Sequence, residues 1–110
     1  HDNVLTLTLN NPAKRNALSK AMMSALLEGI RNAANDAAVR VVIIRAEGKV
    51  FSAGHDLREL HGGCESDYNG VFALCTELME AIRLLPKPVI AQVDGLATAA
   101  GCQLVATCDL

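Results

Sequence analysis

The sequence predicts an α/β fold with parallel strands, and three observations carry that prediction. Val39 to Ile44 and Val89 to Val93 are nearly unbroken β-branched or apolar runs, the pattern of strands covered on both faces. The stretches between such runs space their apolar residues at helical intervals. Pro12, Gly48, Gly54 and Pro86 punctuate several changes of pattern, so strands alternate with helices along the 110 residues.

Element by element, Asn3 to Leu9 alternates, with Leu5, Leu7 and Leu9 on one face and Thr6 and Thr8 on the other, and reads as a first strand. Asn10-Asn11-Pro12 breaks it. Ser19 is an N-cap for a helix running to about Asn35, because Met22, Met23, Leu26, Leu27, Ile30 and Ala33 fall on one helical face. The Val39 to Ile44 strand is followed by a loop punctuated by Gly48 and Gly54, and a short helix is expected near Asp56. His61 to Asn69 is polar and Gly-containing and reads as a loop. Helical spacing returns from about Tyr68 to Leu85 through Val71, Leu74, Cys75, Leu78 and Ile82, and Pro86 ends it. Val89 to Val93 is the next strand, and Gly101 to Thr107 belongs to a further helix. There is no internal repeat of fixed period and no low-complexity segment.

Composition excludes several function classes. At 51% hydrophobic, 20% charged and a net charge of −2, the chain is globular and not disordered. It has no basic patch interleaved with aromatic residues, having two Phe, one Tyr and no Trp, so nucleic acid is not an expected partner. No apolar run is long enough to span a bilayer, and the given sequence opens on a strand pattern rather than a signal or transit peptide, which does not decide the compartment. Cys64, Cys75, Cys102 and Cys108 form no Cys-x-x-Cys pair and have no His at zinc-finger spacing, so they read as free thiols and no metal is expected.

The chemistry concentrates in two segments. Phe51-Ser52-Ala53-Gly54-His55-Asp56-Leu57 and Asp94-Gly95-Leu96-Ala97-Thr98-Ala99-Ala100-Gly101-Cys102-Gln103 each pass from an apolar run through small residues into a helix start. Small side chains leave the backbone accessible, and N–H groups at a helix start carry partial positive charge. Two such N–H groups converging on a carbonyl oxygen would form an oxyanion hole. A Ser-His-Asp hydrolase built from Ser52, His55 and Asp56 is disfavoured, because three near neighbours in one turn point in different directions and no Gly-x-Ser-x-Gly elbow is present.

These segments, together with Leu9-Asn10-Asn11-Pro12, Arg15-Asn16-Ala17-Leu18, Lys87-Pro88-Val89-Ile90-Ala91 and Cys108-Asp109-Leu110, resemble the enoyl-CoA hydratase/isomerase (crotonase) superfamily from end to end. Within it the chain is similar to the mitochondrial enoyl-CoA hydratase domain-containing protein 3 group. The resemblance implies a ClpP/crotonase-type spiral of β-β-α units, of which residues 1–110 form the N-terminal portion of a single acyl-CoA-binding domain. The remainder of that domain would lie beyond Leu110. It also implies a trimeric or hexameric complete protein of fatty-acid metabolism, and a mitochondrial setting with a transit peptide. Coenzyme A would enter as part of the substrate, with no separate cofactor.

The resemblance also carries residue roles. The oxyanion N–H groups fall at His55 and Ala100. The His55 ring is either a catalytic group or a variable residue lining the pocket. Gln103 stands where the hydratases carry a catalytic Glu; an amide cannot exchange a proton near neutral pH, though it can orient water. Gln103 is therefore either a modified active-site residue or a polar residue satisfied at a helix start. Backbone around Ala53, Asp56 and Leu57 would receive the adenine, and Lys14 or Arg15 could meet phosphates, unless that pair is simply a solvated turn. Lys49 and Arg58 are weaker candidates of the same kind. Two function classes remain open: an acyl-CoA enzyme, and an acyl-CoA-binding or regulatory protein without hydratase turnover.

Overall fold

The computed structural model describes residues 3–54, 65–97 and 100–110. Among the described residues, five strands and three α-helices follow one another as β1 (Val4–Leu9), α1 (Lys20–Asn35), β2 (Val41–Ala46), β3 (Val50–Ser52), α2 (Glu65–Leu84), β4 (Val89–Ala91), β5 (Leu96–Ala97) and α3 (Ala100–Thr107), with a 3₁₀ turn at Pro12–Lys14 between β1 and α1. Among the described residues all the strand pairs are parallel. One sheet has the order β1-β2-β4 with Val4 opposite Val41 and Val42 opposite Val89; a second pairs β3 with β5, with Val50 opposite Leu96. The β2-β3-α2 unit is thus repeated as β4-β5-α3, and each unit gives one strand to each sheet. That is a spiral of β-β-α turns.

Local chemistry explains the elements. Ser19 has extended backbone and its hydroxyl accepts the Met22 N–H at 3.1 Å, which starts α1 as its sequence predicts. The other end of α1 is closed by Lys87, whose ammonium donates to the carbonyls of Ala33 and, at 2.8 Å, of Asp36. A cation there satisfies orphan carbonyls and offsets the negative end of the helix dipole. Helix α1 turns Met23, Leu26, Leu27, Ile30 and Ala33 inward, and α2 turns Val71, Cys75, Leu78, Met79 and Ile82 inward. These faces enclose one core with Val42, Ile44, Phe51, Val89 and Leu104. The Arg31–Glu77 and Glu80–Arg83 ion pairs lie on the exposed surface, where such pairs contribute little.

Four expectations shift. Strand β2 runs from Val41 to Ala46, not from Val39, because Val39 and Arg40 are taken up by hydrogen bonds to Asp36 and Asn3. Its two faces also differ: Val42 and Ile44 are buried, Val41 and Ile43 half-buried. Helix α2 begins at Glu65, so Glu65 to Asn69 is helical where a loop is expected; a polar composition does not by itself separate a first helical turn from a loop. Strand β4 ends at Ala91, although the Gln92 N–H still reaches the Ile44 carbonyl at 2.8 Å. The helix expected near Asp56 lies outside the described residues, as do His61 to Cys64.

Beyond β4, Asp109 and Leu110 continue the pairing. The Asp109 N–H donates to the Val89 carbonyl and the Ala91 N–H to the Leu110 carbonyl, both at 2.8 Å, while the Asp109 carboxylate accepts the Val89 N–H. Truncating the fully buried Leu78 to Ala should lower unfolding free energy by about 2–5 kcal/mol in urea titration, through lost transfer energy and a residual cavity. Thr76→Ala, on the exposed face of the same helix, should stay within about 0.5 kcal/mol of the parent.

Candidate functional site

The site is built from the turn after β1 and the end of β3. Arg15 and Asn16 both have left-handed backbone, with φ of 55° and 52°. Asn tolerates that region well, whereas Arg at such a position costs about 1–3 kcal/mol that its surroundings must offset. The offset comes from Asn16, which is fully buried. Its side-chain oxygen accepts the Asn11 N–H at 2.8 Å, and its amide donates to the carbonyls of Glu47 and Val50, each at 2.8 Å. One side chain thereby closes its own turn and ties it to the β2–β3 connection.

Two backbone hydrogen bonds extend the tie to the segment that follows β3. The Ala53 N–H donates to the Arg15 carbonyl at 3.1 Å, and the Leu18 N–H donates to the Gly54 carbonyl at 2.6 Å. Gly54 has φ +98°, a region that a side chain would strain. Arg15 and Ala53 are therefore neighbours.

Helix α3 reaches the same place from the other side. A Cβ on Gly101 would lie 2.5 Å from the Ser52 carbonyl oxygen and 2.8 Å from the Ser52 Cβ, so the helix start touches the end of β3 and no side chain fits between. Gly95 does the same one strand earlier, where a Cβ would lie 2.1 Å from the Lys49 carbonyl oxygen. Ala100, as the first residue of α3, has an N–H with no acceptor inside the helix. Gln103 is exposed, and its own carbonyl accepts the Thr107 hydroxyl at 2.8 Å.

Of the remaining expected residues, Arg15 and Lys49 are exposed and Lys14 ends the 3₁₀ turn. His55, Asp56, Leu57 and Arg58 lie outside the described residues. Ser52 is fully buried, and its hydroxyl is engaged with Asn16 and Gly54, which removes it as a nucleophile. Asn16 and Ser52 are the residues whose roles sequence reasoning missed. The readable signal for Asn16 was an Asn in the turn that follows Asn10-Asn11-Pro12, a residue type that tolerates left-handed backbone; nothing in the sequence pointed to Ser52 as a bridge.

A sequence profile of the family described as enoyl-CoA hydratase/isomerase matches residues 1–110. The chain belongs to this family. It is 52% identical over 110 residues to the mitochondrial enoyl-CoA hydratase domain-containing protein 3 of Rattus norvegicus, covering 99% of this chain and 37% of that protein. It is 38% identical over 108 residues to the 2,3-dehydroadipyl-CoA hydratase of Escherichia coli, covering 97% of this chain and 41% of that enzyme. The crystal structure of human enoyl Coenzyme A hydratase domain-containing protein 3 superposes with a TM-score of 0.94 at 51% identity, over 100% of this chain and 44% of that one. An enoyl-CoA hydratase of Mycobacterium smegmatis does so at 0.95 and 54%, over 100% and 43%. The fold is thus that of crotonases, and the chain spans less than half the length of these relatives.

The described thiols are set away from reactivity. Burial raises the Cys75 thiol, and burial followed by the Asp109 charge pushes Cys108 up to about 11. Among the described residues no group of His, Cys, Asp and Glu could hold a metal ion, and no helix is long and apolar enough to cross a membrane.

Two predictions follow from this geometry. Gly101→Ala should destabilise the protein by about 1–3 kcal/mol in denaturant titration, since its methyl meets backbone that must shift. Cys108 keeps its proton in the folded state to higher pH than its ordinary 9.0 allows when unfolded, so the unfolded chain binds fewer protons in that interval and stability falls as pH rises from 9.0 to about 11. Comparing thermal melts of the parent and Cys108→Ala across that window checks it; the variant should lose less stability as pH rises.

Proposed function

We propose that this chain forms part of an acyl-CoA site in which backbone N–H groups at His55 and Ala100 hold the thioester oxygen. The observation that carries the reading is the contact of Gly101 with Ser52, which brings the start of α3 against the end of β3 where Ala53 and Gly54 leave the sheet. Donors fixed in this way need no reorganisation when charge develops on the oxygen, which is the origin of oxyanion stabilisation. Family membership and the names of the relatives, which act on or are named for enoyl-CoA, support the same ligand class. Backbone at Ala53, Asp56 and Leu57 would receive the adenine, with Lys14 or Arg15 at the phosphates.

The reaction itself is governed by Gln103. Helical spacing puts residues 100 and 103 on one face of α3, so a carboxylate at 103 would stand over the oxyanion donor. The amide there cannot serve as acid or base, and hydration by a pair of carboxylates is therefore weak in the protein that carries this chain. Binding of acyl-CoA without hydratase turnover, in a regulatory role, is the second reading, and Gln103 is what favours it. The names of the rat, Xenopus laevis and human relatives support a mitochondrial location. Action in fatty-acid metabolism as a trimer or hexamer completes the proposal.

Crotonyl-CoA hydration by the parent and by Gln103→Glu, together with calorimetry of acyl-CoA binding, tests this reading. The parent should bind acyl-CoA yet hydrate about 10²–10⁴-fold more slowly than ordinary hydratases, and Gln103→Glu should recover part of that factor. Absence of binding at millimolar ligand would sink the acyl-CoA assignment. Fast parental hydration insensitive to Gln103→Ala would show that the proton-transferring group lies elsewhere.

A further inference from the structure

Gln103 removes acid–base chemistry from its position, and it also brings a hydrogen-bond donor there. Helix α3 turns Gly101 and the fully buried Leu104 toward the protein, while Gln103 and Ala106 are exposed. Among the described residues nothing engages the Gln103 side-chain amide; the Thr107 hydroxyl takes only its backbone carbonyl, at 2.8 Å.

Long side chains on a helix lean toward its N-terminus, so the Gln103 amide leans over the turn that begins at Ala100. The first N–H groups of that turn have no acceptor within the helix. Gly101, packed on the Ser52 carbonyl, holds this end of α3 against the end of β3. Three residues of helix rise only about 4.5 Å, and C3 of an acyl thioester lies two bonds from the carbonyl carbon. A thioester oxygen at the Ala100 N–H therefore leaves C3 within the span of the turn that Gln103 covers.

Donor chemistry then separates the ligands. An ionised carboxylate only accepts hydrogen bonds, so a Glu at 103 serves a water or a 3-hydroxyl but has no hydrogen for a 3-oxo oxygen. The Gln amide carries two. Hydration of an enoyl thioester puts an oxygen on C3, whereas Gln103 suits a ligand that already carries one there as a carbonyl.

We propose that Gln103 makes this a site for 3-oxoacyl-CoA thioesters, its amide N–H donating to the 3-oxo oxygen while backbone donors hold the thioester oxygen. Two carbonyls on alternate carbons are thus read by two separate sets of donors. The proposal rests on the acyl-CoA reading given under the preceding heading, and the test distinguishes its failure from the failure of that reading.

The test uses three four-carbon thioesters that differ only at C3: acetoacetyl-CoA, 3-hydroxybutyryl-CoA and butyryl-CoA. Calorimetry on the full-length protein that carries this chain should find acetoacetyl-CoA bound about 10-fold more tightly than butyryl-CoA, the effect of one paired against one unpaired polar group. Gln103→Leu, a substitution at an exposed position, should bring the two within about 2-fold by weakening acetoacetyl-CoA alone. Gln103→Glu at neutral pH should lose the 3-oxo preference while keeping 3-hydroxybutyryl-CoA. Enolisation at the thioester oxygen also favours acetoacetyl-CoA, but a preference from that source survives Gln103→Leu, and its survival overturns the proposal. Equal loss of all three ligands in Gln103→Leu, or 3-hydroxybutyryl-CoA bound by the parent as tightly as acetoacetyl-CoA, overturns it as well. No binding of any of the three overturns the acyl-CoA reading itself.

Discussion

Everything near the site depends on one buried amide. Asn16 occupies left-handed backbone inside the protein, where an unpaired polar side chain would be costly, and every hydrogen bond of its amide goes to main chain. Its partners, Asn11, Glu47 and Val50, come from two connections that are distant in sequence. Replacing it by an apolar residue would orphan those groups together, and replacing it by Asp would remove both donors and bury a charge. The amide therefore sets the distance between the turn after β1 and the start of β3.

Around that fixed point neighbouring elements are drawn together by the absence of side chains. Gly95 lets the entry to β5 lie against Lys49, and Gly101 lets α3 begin against Ser52. Gly29 performs a related service in the first layer, where a Cβ would lie 2.7 Å from the Leu7 side chain, so α1 settles closely on β1. These contacts convert a stack of strands and helices into one in which the end of β3 and the start of α3 are adjacent. Catalytic geometry that uses backbone donors requires such closeness, because the main chain cannot extend an arm as a side chain can.

Much of this was readable from residue pattern. The alternation in β1, the Ser19 cap and the inward faces of α1 and α2 follow from hydrophobic spacing, which burial alone imposes. Strands β3 and β5 were not distinguishable, since three residues and two residues carry too little periodicity and their Ser and Ala give no strand signature. The start of α2 was hidden because a polar helical turn and a loop share a composition. At the site, the small-residue segments announced accessible backbone, but the roles of Asn16 and Ser52 depend on partners 31 and 36 positions away, and no local pattern encodes such a meeting. The parallel alignment in which Arg15 meets Ala53 likewise belongs to tertiary structure.

The alternation of strands between two sheets also bears on how the chain assembles as it leaves the ribosome. Strand β1 meets its partner β2 once Ala46 has been made, whereas β3 finds its strand partner, among the described residues, only when Leu96 and Ala97 have been made. Contacts of long sequence separation form slowly because loop closure must precede them. Before β5 arrives, the Asn16 amide already holds the Val50 carbonyl, and the Arg15 and Leu18 backbone hold Ala53 and Gly54 just past the strand. The turn that organises the finished site is, during synthesis, a temporary guardian of an unpaired strand.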